Sequence, residues 1–246
     1  MKPIINPISK PEGRAGEYWE YVLNIYATCN HGCTYCYARS MYERWHGKGS
    51  FNAAPVVRSG LIEGLRKQLS KGEIVGRLIG LCDMCDPYPA EIDTSATREI
   101  IKLLKEYGNH VQILTKGGKR AERDFDLLDA NDWFGATWCG YTVDDIDVVR
   151  AEPNTGNPRE RLRSIEKAKE LGIKTWVSFE PVIGDVDVLY LLENHRDRFD
   201  KVKIGKMNYH PSEINWKEFG LKAEAICIEQ GLNYYIKDSL RKEMEA

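Results

Sequence analysis

Nowhere in its 246 residues does the chain hold the roughly 18 consecutive apolar residues that a membrane-spanning helix needs, and it has no low-complexity run. The first twenty residues, MKPIINPISKPEGRAGEYWE, carry Lys2 and Lys10 with no continuous apolar core between them. They do not read as a secretory signal, so a cytoplasmic protein is expected. Net charge is scarce too: at −2 there is none of the basic excess that marks dedicated nucleic-acid binders. Two local runs stand against that, since Lys116, Lys119, Arg120 and Arg123, or Lys201, Lys203 and Lys206, could line a phosphate-facing surface. The cysteines number seven, an odd count that, without an export signal, argues against a disulfide framework.

What is present suits one large globular domain. YWEYVLNIY, from Tyr18 to Tyr26, reads as a buried strand, and the cysteine loop follows it directly. After a long polar and aromatic connection, helices and short apolar strands alternate. The helices are expected over Ser59–Ser70, Thr97–Tyr107, Arg123–Ala130, Pro158–Leu171, Val186–Asn194 and Trp216–Gln230. The strands are expected over Ile74–Leu81, Val111–Thr115, Phe134–Thr142, Lys174–Phe179 and Val202–Ile204, with a short one at Tyr234–Ile236. Asn157 can cap the Pro158 helix and Gly172 can end it. Six strand-helix units in series make an α/β fold with a parallel sheet, either curled as a partial or full barrel or open and doubly wound. In both cases the loops at the C-terminal ends of the strands share one face, and the residues of chemical interest fall there.

The most informative of them are Cys29, Cys33 and Cys36, in the pattern CxxxCxxC. Cubane iron–sulfur clusters normally take four thiolates. Three in a compact loop leave one metal position open to a substrate or cofactor, and Gly32 lets the backbone turn tightly. A zinc site using these thiols and His31 would strain a histidine lying inside the same loop.

This loop, ending in Thr34-Tyr35-Cys36-Tyr37-Ala38, resembles the signature of the radical S-adenosylmethionine superfamily. The runs Asp86-Pro87-Tyr88-Pro89-Ala90-Glu91, Thr115-Lys116, Arg123-Asp124, Glu152-Pro153 and Arg161-Leu162 look like the spore photoproduct lyase-like group within it. The resemblance implies a partial (β/α)6 TIM-type barrel over residues 18–206. An N-terminal extension over 1–17 would precede it, and a C-terminal helical segment over 207–246 would pack on it. It further implies a [4Fe–4S] cluster on Cys29, Cys33 and Cys36, at the C-terminal edge of the strands. Cleavage of S-adenosylmethionine there by one electron would give a 5′-deoxyadenosyl radical that takes hydrogen from substrate.

By the same resemblance Asp86 meets the S-adenosylmethionine amino group and Lys116 its carboxylate, Cys139 stands near its ribose, Tyr141 is a further cofactor-binding residue, and Tyr35 packs beside adenine or the cluster. Cys82, Cys85 and Tyr37 are the candidate catalytic residues. The lyase group places a hydrogen-donating thiol one residue after Cys82, where Asp83 stands, so both flanking cysteines are candidates. Glu180-Pro181, Lys203, Lys206, Asn208, Tyr209 and His210 are expected on the substrate side. The implied partners are an external one-electron reductant of the flavodoxin or ferredoxin type and a nucleic-acid substrate. A small metabolite or peptide is the alternative substrate, and a non-catalytic iron–sulfur electron carrier is the alternative class.

Overall fold

A computed structural model of the chain describes residues 4–52, 54–140 and 150–246. Seven strands, β1 (Tyr21–Leu23), β2 (Leu78–Leu81), β3 (His110–Thr115), β4 (Trp133–Thr137), β5 (Lys174–Phe179), β6 (Lys201–Ile204) and β7 (Tyr234–Ile236), pair in parallel in chain order. The sheet curls into a partial TIM-type barrel with β1 and β7 at its edges. The short strand expected at Tyr234–Ile236 is β7, which joins the same sheet by pairing with β6 in register Lys203↔Tyr235 and so adds a seventh strand to the six expected units.

Side chains alternate along each strand and so sort into two environments. Ile79, Leu81, Val111, Ile113, Phe134, Val177, Val202 and Ile204 belong to the large core shared with the helices. Val22, Leu114, Trp133 and Trp176, of opposite parity, join Trp19 and Tyr18 in a smaller cluster inside the curl. Indoles fit there because the facing strands carry glycine: a Cβ on Gly80 would lie 2.2 Å from Trp19, and one on Gly135 2.3 Å from Trp176. The Trp176 indole N–H donates to the Ile113 carbonyl at 2.9 Å, which fixes its ring. This aromatic plug closes the barrel from within and leaves the C-terminal ends of the strands free to line a cavity.

Among the described residues the helices are α1 (Tyr37–His46), α2 (Leu61–Leu69), α3 (Ser95–Glu106), α4 (Pro158–Glu170), α5 (Asp185–Asn194), α6 (Trp216–Glu229) and α7 (Asp238–Glu245). None is long and apolar enough to cross a membrane. Asn157 caps α4 as expected, accepting from the Glu160 amide at 2.8 Å, and Gly172 sits at φ +77° past its end. Three expectations change. α1 occupies part of the stretch read as a connection; its apolar residues are sparse and only Ala38 is buried, so no periodicity betrayed it. The helix expected over 123–130 is a 3-10 segment, Gly118–Leu127. β1 is three residues rather than nine, because Tyr18 and Trp19 leave the strand for the interior.

Residues before β1 hold both sheet edges. Ser9 exchanges backbone hydrogen bonds with Val22 at 3.0 and 2.9 Å, covering β1, which would otherwise present unpaired groups. Glu17 reaches β7 and the start of α7, accepting from Tyr235 Oη at 3.3 Å and the Asp238 amide at 2.9 Å.

Gly135→Ala should destabilise the fold by about 1–3 kcal/mol, since neither β4 nor the tethered Trp176 ring can yield without strain. A lower urea midpoint at unchanged m-value is the expected reading.

Candidate active site

Cys29, Cys33 and Cys36 leave β1 on a loop whose alternate residues face opposite ways. Cys29, His31, Cys33, Tyr35 and Cys36 line a cavity of about 480 Å³. Asn30, Gly32 and Thr34 meet a second layer of chain: Asn30 is bonded to Ala90 and Asn154, Gly32 (φ +74°) lies against Pro153, and the Thr34 amide donates to the Ala151 carbonyl. A Cβ on Gly32 would come within 2.9 Å of the Pro153 ring, which is why the loop needs glycine there.

His31 is buried with both ring nitrogens engaged. Nδ1 is 3.5 Å from Asp86 Oδ2, and Nε2 is 3.1 Å from the Arg120 guanidinium, which can only donate. Burial first, with the Arg120 charge adding to it against the pull of Asp86, lowers its pKa to about 4. A neutral His31 so held is no fourth ligand. Among the described residues the three loop sulfurs also do not all lie within 4.8 Å of one another. A single tetrahedral zinc, with Zn–S near 2.3 Å, would draw them to about 3.8 Å. The donor set therefore fits thiolates spread over separate irons of a cluster better than one ion. Burial pushes the Cys33 thiol up to about 12 and raises Cys29 well above the ordinary thiol value, so metal would have to displace their protons. The His110, Asp129 and Asp132 group has metal-like spacing, but the Lys105 ammonium already sits 2.5 Å from both carboxylates.

The next wall is the turn after β2. Asn24 Oδ1 accepts from the amides of Asp83 and Met84 at 2.9 and 2.8 Å and so fixes a turn in which Cys82 takes φ +68°. Cys82, Asp83, Met84, Cys85 and Asp86 all line the cavity. Burial, then a hydrogen bond with the Cys85 thiol, raises Cys82 well above the ordinary thiol value. Asp83 accepts from the Trp19 indole at 3.2 Å, and its carbonyl accepts from the Tyr37 hydroxyl at 2.7 Å. The Asp86 carboxylate accepts from the Tyr88 amide (2.8 Å), the Thr115 hydroxyl (2.6 Å) and the Lys116 amide (2.8 Å), with His31 beside it. Three of its four acceptor positions are thereby taken and His31 stands near the fourth, so it organises this end of the cavity.

Lys116 lines the cavity with its ammonium 5.2 Å from the Tyr35 ring and 3.8 Å from Glu152. Glu152 and Arg161, each about 1% exposed, are the centre of this wall. Arg161 donates to Glu152, to the carbonyls of Gly156 (2.7 Å) and Thr137 (2.9 Å), and to the Thr155 hydroxyl (2.6 Å). Glu152 also accepts from the Tyr35 hydroxyl and from the Cys139 thiol at 3.2 Å. Burial raises the Glu152 pKa despite the opposing pull of Arg161. Tyr35, Lys116 and Cys139 are thus brought together by a buried carboxylate to which sequence reasoning assigned no role. Tyr141 lies outside the described residues.

At the far end, beyond β5, Glu180, Pro181, Lys206, Asn208 and Tyr209 line the same cavity as expected, joined by Tyr18 and Lys237. The Tyr18 hydroxyl donates to Glu180, which pairs with the Lys237 ammonium at 2.7 Å, and Glu17 takes the other side of Lys237 at 3.3 Å. Lys203 is corrected: it is 3% exposed, inside the barrel under the rings of Tyr18, Trp176 and Tyr235, and donates to the Glu17 carbonyl. It cannot face a phosphate from there, and Lys206 is paired with Glu243. His210 lines an adjoining groove of about 770 Å³ that shares Arg14, Lys206, Met207, Asn208 and Tyr209 with the cavity.

Solved structures with this fold include spore photoproduct lyase complexed with dinucleoside spore photoproduct, at TM-score 0.68 and 13% identity over 93% of this chain and 80% of that one. Streptococcus suis SuiB bound to its precursor peptide SuiA also matches, at TM-score 0.65 and 11% identity over 91% and 50%. Structures of the same two proteins with S-adenosylmethionine bound also match, at TM-scores 0.61 and 0.58, and the fold they share is the one seen here. The chain belongs to the DUF5131 family of proteins of unknown function, whose model matches residues 16–237. Its relatives include the uncharacterised protein MJ0683 of Methanocaldococcus jannaschii, 30% identical over 196 residues (78% of this chain, 69% of that protein). Another is the uncharacterised Rv2578c of Mycobacterium tuberculosis, 28% identical over 182 residues, of which this chain spans about half, 53%.

Two tests follow from the buried charges. Glu152→Gln leaves Arg161 without its counter-charge and should cost about 3–5 kcal/mol of stability, read from urea unfolding. Lys203 has its pKa lowered to about 7, by burial first and then by the charges of Lys201 and Lys237. Its ordinary value is about 10.4, so between the two the unfolded chain binds the extra proton. The penalty is full below pH 7 and relieved as pH rises. Relative to Lys203→Met, the wild type should therefore gain about 2 kcal/mol between about pH 7 and pH 9, and parallel pH profiles would refute this.

Proposed function

We propose that this chain is a radical S-adenosylmethionine enzyme of the spore photoproduct lyase-like group. The observation that carries it is the set of three unpaired thiols, Cys29, Cys33 and Cys36, spread too widely for one ion and opening into a cavity that ends at the Glu180–Lys237 pair. When bound, a [4Fe–4S] cluster and S-adenosylmethionine supply the one-electron cleavage that yields a 5′-deoxyadenosyl radical able to take hydrogen from substrate.

The chain's own residues divide the remaining work. Lys116 offers a point charge for the methionine carboxylate, and Tyr35, oriented by Glu152, offers a ring edge beside it. Cys139 stands with them, near the expected ribose position, its thiol held by Glu152. Asp86 acts through His31 and the Lys116 amide, setting the cluster loop and the strand end at a fixed spacing. Cys82 and Cys85 are proposed hydrogen donors to substrate, since an S–H bond is weak and both thiols line the cavity. Tyr37, tied to the Asp83 carbonyl, stands at the rim between them and solvent. Glu180, Tyr18 and Asn208 present polar contacts to substrate from the opposite pole.

The substrate reading that receives most support is a nucleic-acid base. The Arg14 guanidinium lies 5.3 Å from the centroid of the Tyr209 ring at the cavity mouth, and Tyr209 is 80% exposed, a cation–aromatic pair of the type that supports base stacking. A peptide is the alternative, since SuiB takes one. An external one-electron carrier of flavodoxin or ferredoxin type is the proposed partner.

The test is anaerobic reconstitution with iron and sulfide, reduction, and assay for 5′-deoxyadenosine. Loss of iron in Cys33→Ala and retention in Cys227→Ala are expected, and an intact cluster that forms no product would sink the proposal. Lys116→Ala should weaken S-adenosylmethionine binding about 10–100-fold, the worth of one charge-assisted contact, without loss of iron. In heavy water, whichever of Cys82→Ser and Cys85→Ser loses deuterium transfer into product identifies the donor.

A further inference from the structure

The far pole of the cavity is built around one carboxylate. Glu180 follows β5, Gly205 follows β6 and Lys237 follows β7. A Cβ on Gly205 would come within 2.9 Å of Glu180 Cδ and 3.0 Å of Lys237 Cδ, so the pair can form only over a residue without a side chain. Glu180 Oε2 accepts from the Tyr18 hydroxyl and pairs with the Lys237 ammonium at 2.7 Å. Both contacts fall on one oxygen, which clamps the carboxylate from that side and leaves Oε1 on the other, in a fixed orientation.

Around Oε1 the donors are already engaged. The Tyr18 hydroxyl shares a 2.9 Å hydrogen bond with Ser178 Oγ besides donating to Glu180. The Lys237 ammonium meets Glu17, Glu180 and the Tyr18 ring, and the Lys206 ammonium meets Glu243. Asn208 donates its amide protons to the Lys206 carbonyl at 2.9 Å and, over a long 3.4 Å, to Oε1. Among the described residues its own oxygen, Oδ1, receives no hydrogen bond, and Oε1 receives only that long one. Two neighbouring cavity residues thus keep acceptor capacity, and a complementary ligand must bring donors. It need not bring charge, because two buried ammonium groups, Lys237 and Lys203, already stand beside Glu180 and Glu17.

Nucleobases differ in what their pairing edges offer. Adenine, cytosine and thymine set donors beside acceptors, whereas guanine sets two donors, N1–H and the 2-amino group, side by side. An enzyme that acts on a base takes it into a pocket, reads its pairing edge by hydrogen bonds and stacks it on aromatic side chains. The rings of Trp19 and Tyr209 line this cavity. We propose that Glu180 Oε1 and Asn208 Oδ1 receive the N1–H and 2-amino donors of a guanine base, which makes Glu180 the residue that sets base specificity. The inference rests on the reading of the cavity as a base-binding site and narrows it to one base.

The test measures binding to the full chain, by calorimetry, of short single-stranded oligonucleotides that differ only in one central base: guanine, hypoxanthine, adenine, cytosine or thymine. Free GMP and IMP are measured beside them. Hypoxanthine keeps N1–H and lacks the 2-amino group, so it should bind about tenfold more weakly than guanine, and the other bases about ten- to hundredfold more weakly. In Glu180→Gln, Lys237 and Tyr18 hold the remaining oxygen on their side, so the amide nitrogen takes the place of Oε1 and opposes a donor. The guanine preference should vanish there. Asn208→Ala, with an unchanged urea midpoint, should lose the preference for guanine over hypoxanthine. A guanine preference seen with GMP, or only within the strand, supports the proposal equally and tells a free nucleotide from a polymer. Bases that bind without preference would overturn it and leave the base reading standing; binding of no base, or tighter binding of an arginine-containing peptide, would remove both. Guanine preference in a protein that forms no 5′-deoxyadenosine would keep this inference and remove the radical reading.

Discussion

Arg161 is a guanidinium with almost no water around it, and most of the architecture at the cysteine end follows from neutralising it. A buried cation needs a counter-charge and acceptors for its remaining protons. Glu152 supplies the first, and the Gly156 and Thr137 carbonyls with Thr155 supply the second. Because Glu152 and Gly156 belong to the segment that crosses behind the cysteine loop, anchoring Arg161 also anchors that segment. It in turn grips His31, Thr34 and Asn30. The carboxylate oxygen turned away from Arg161 then gathers Tyr35, Cys139 and Lys116. One ion pair thereby ties α4, the end of β4, the cysteine loop and the adjoining cavity wall into a single unit.

The order of strands and most helices was legible because a sheet buried on both faces writes itself as short apolar runs, and because Asn157, Pro158 and Gly172 punctuate α4 plainly. The cysteine loop stood out for a different reason: cysteines at that spacing in a polar loop have few uses other than metal binding, and the structure sets all three on one cavity. What escaped were features that depend on approach in space. Tyr18 and Trp19 read as the start of a strand because aromatics favour strands; only Gly80, which lies against the Trp19 ring, explains why that ring can turn inward. Lys203 read as a surface lysine, and its parity with Ser178 and Tyr235 across the sheet puts it inside. Glu152 was quoted as part of a motif, but a carboxylate 117 residues from Tyr35 carries no sign in sequence that the two will meet. Lys237 lies one residue past β7, too short a strand to announce that its end lines the cavity.

The two buried ionic groups stand at opposite poles of one cavity and solve the same problem differently. At the cysteine pole the pairing is tight, and Arg161 has no contact with the cavity; its role is to hold other residues in place. At the β5–β7 pole Glu180 and Lys237 themselves form the wall. Lys237 is satisfied by two carboxylates and the Tyr18 ring, whereas among the described residues Glu180 Oε1 has only the Asn208 amide at 3.4 Å. That oxygen is the under-used acceptor of the far wall, and in a low-dielectric cavity an under-used charge is worth more to an incoming hydrogen-bond donor than it would be in water. The cysteine pole is thus built to be rigid and the opposite pole to retain one unfilled acceptor. Such a division suits a site in which one end must not vary while the other selects what may approach it.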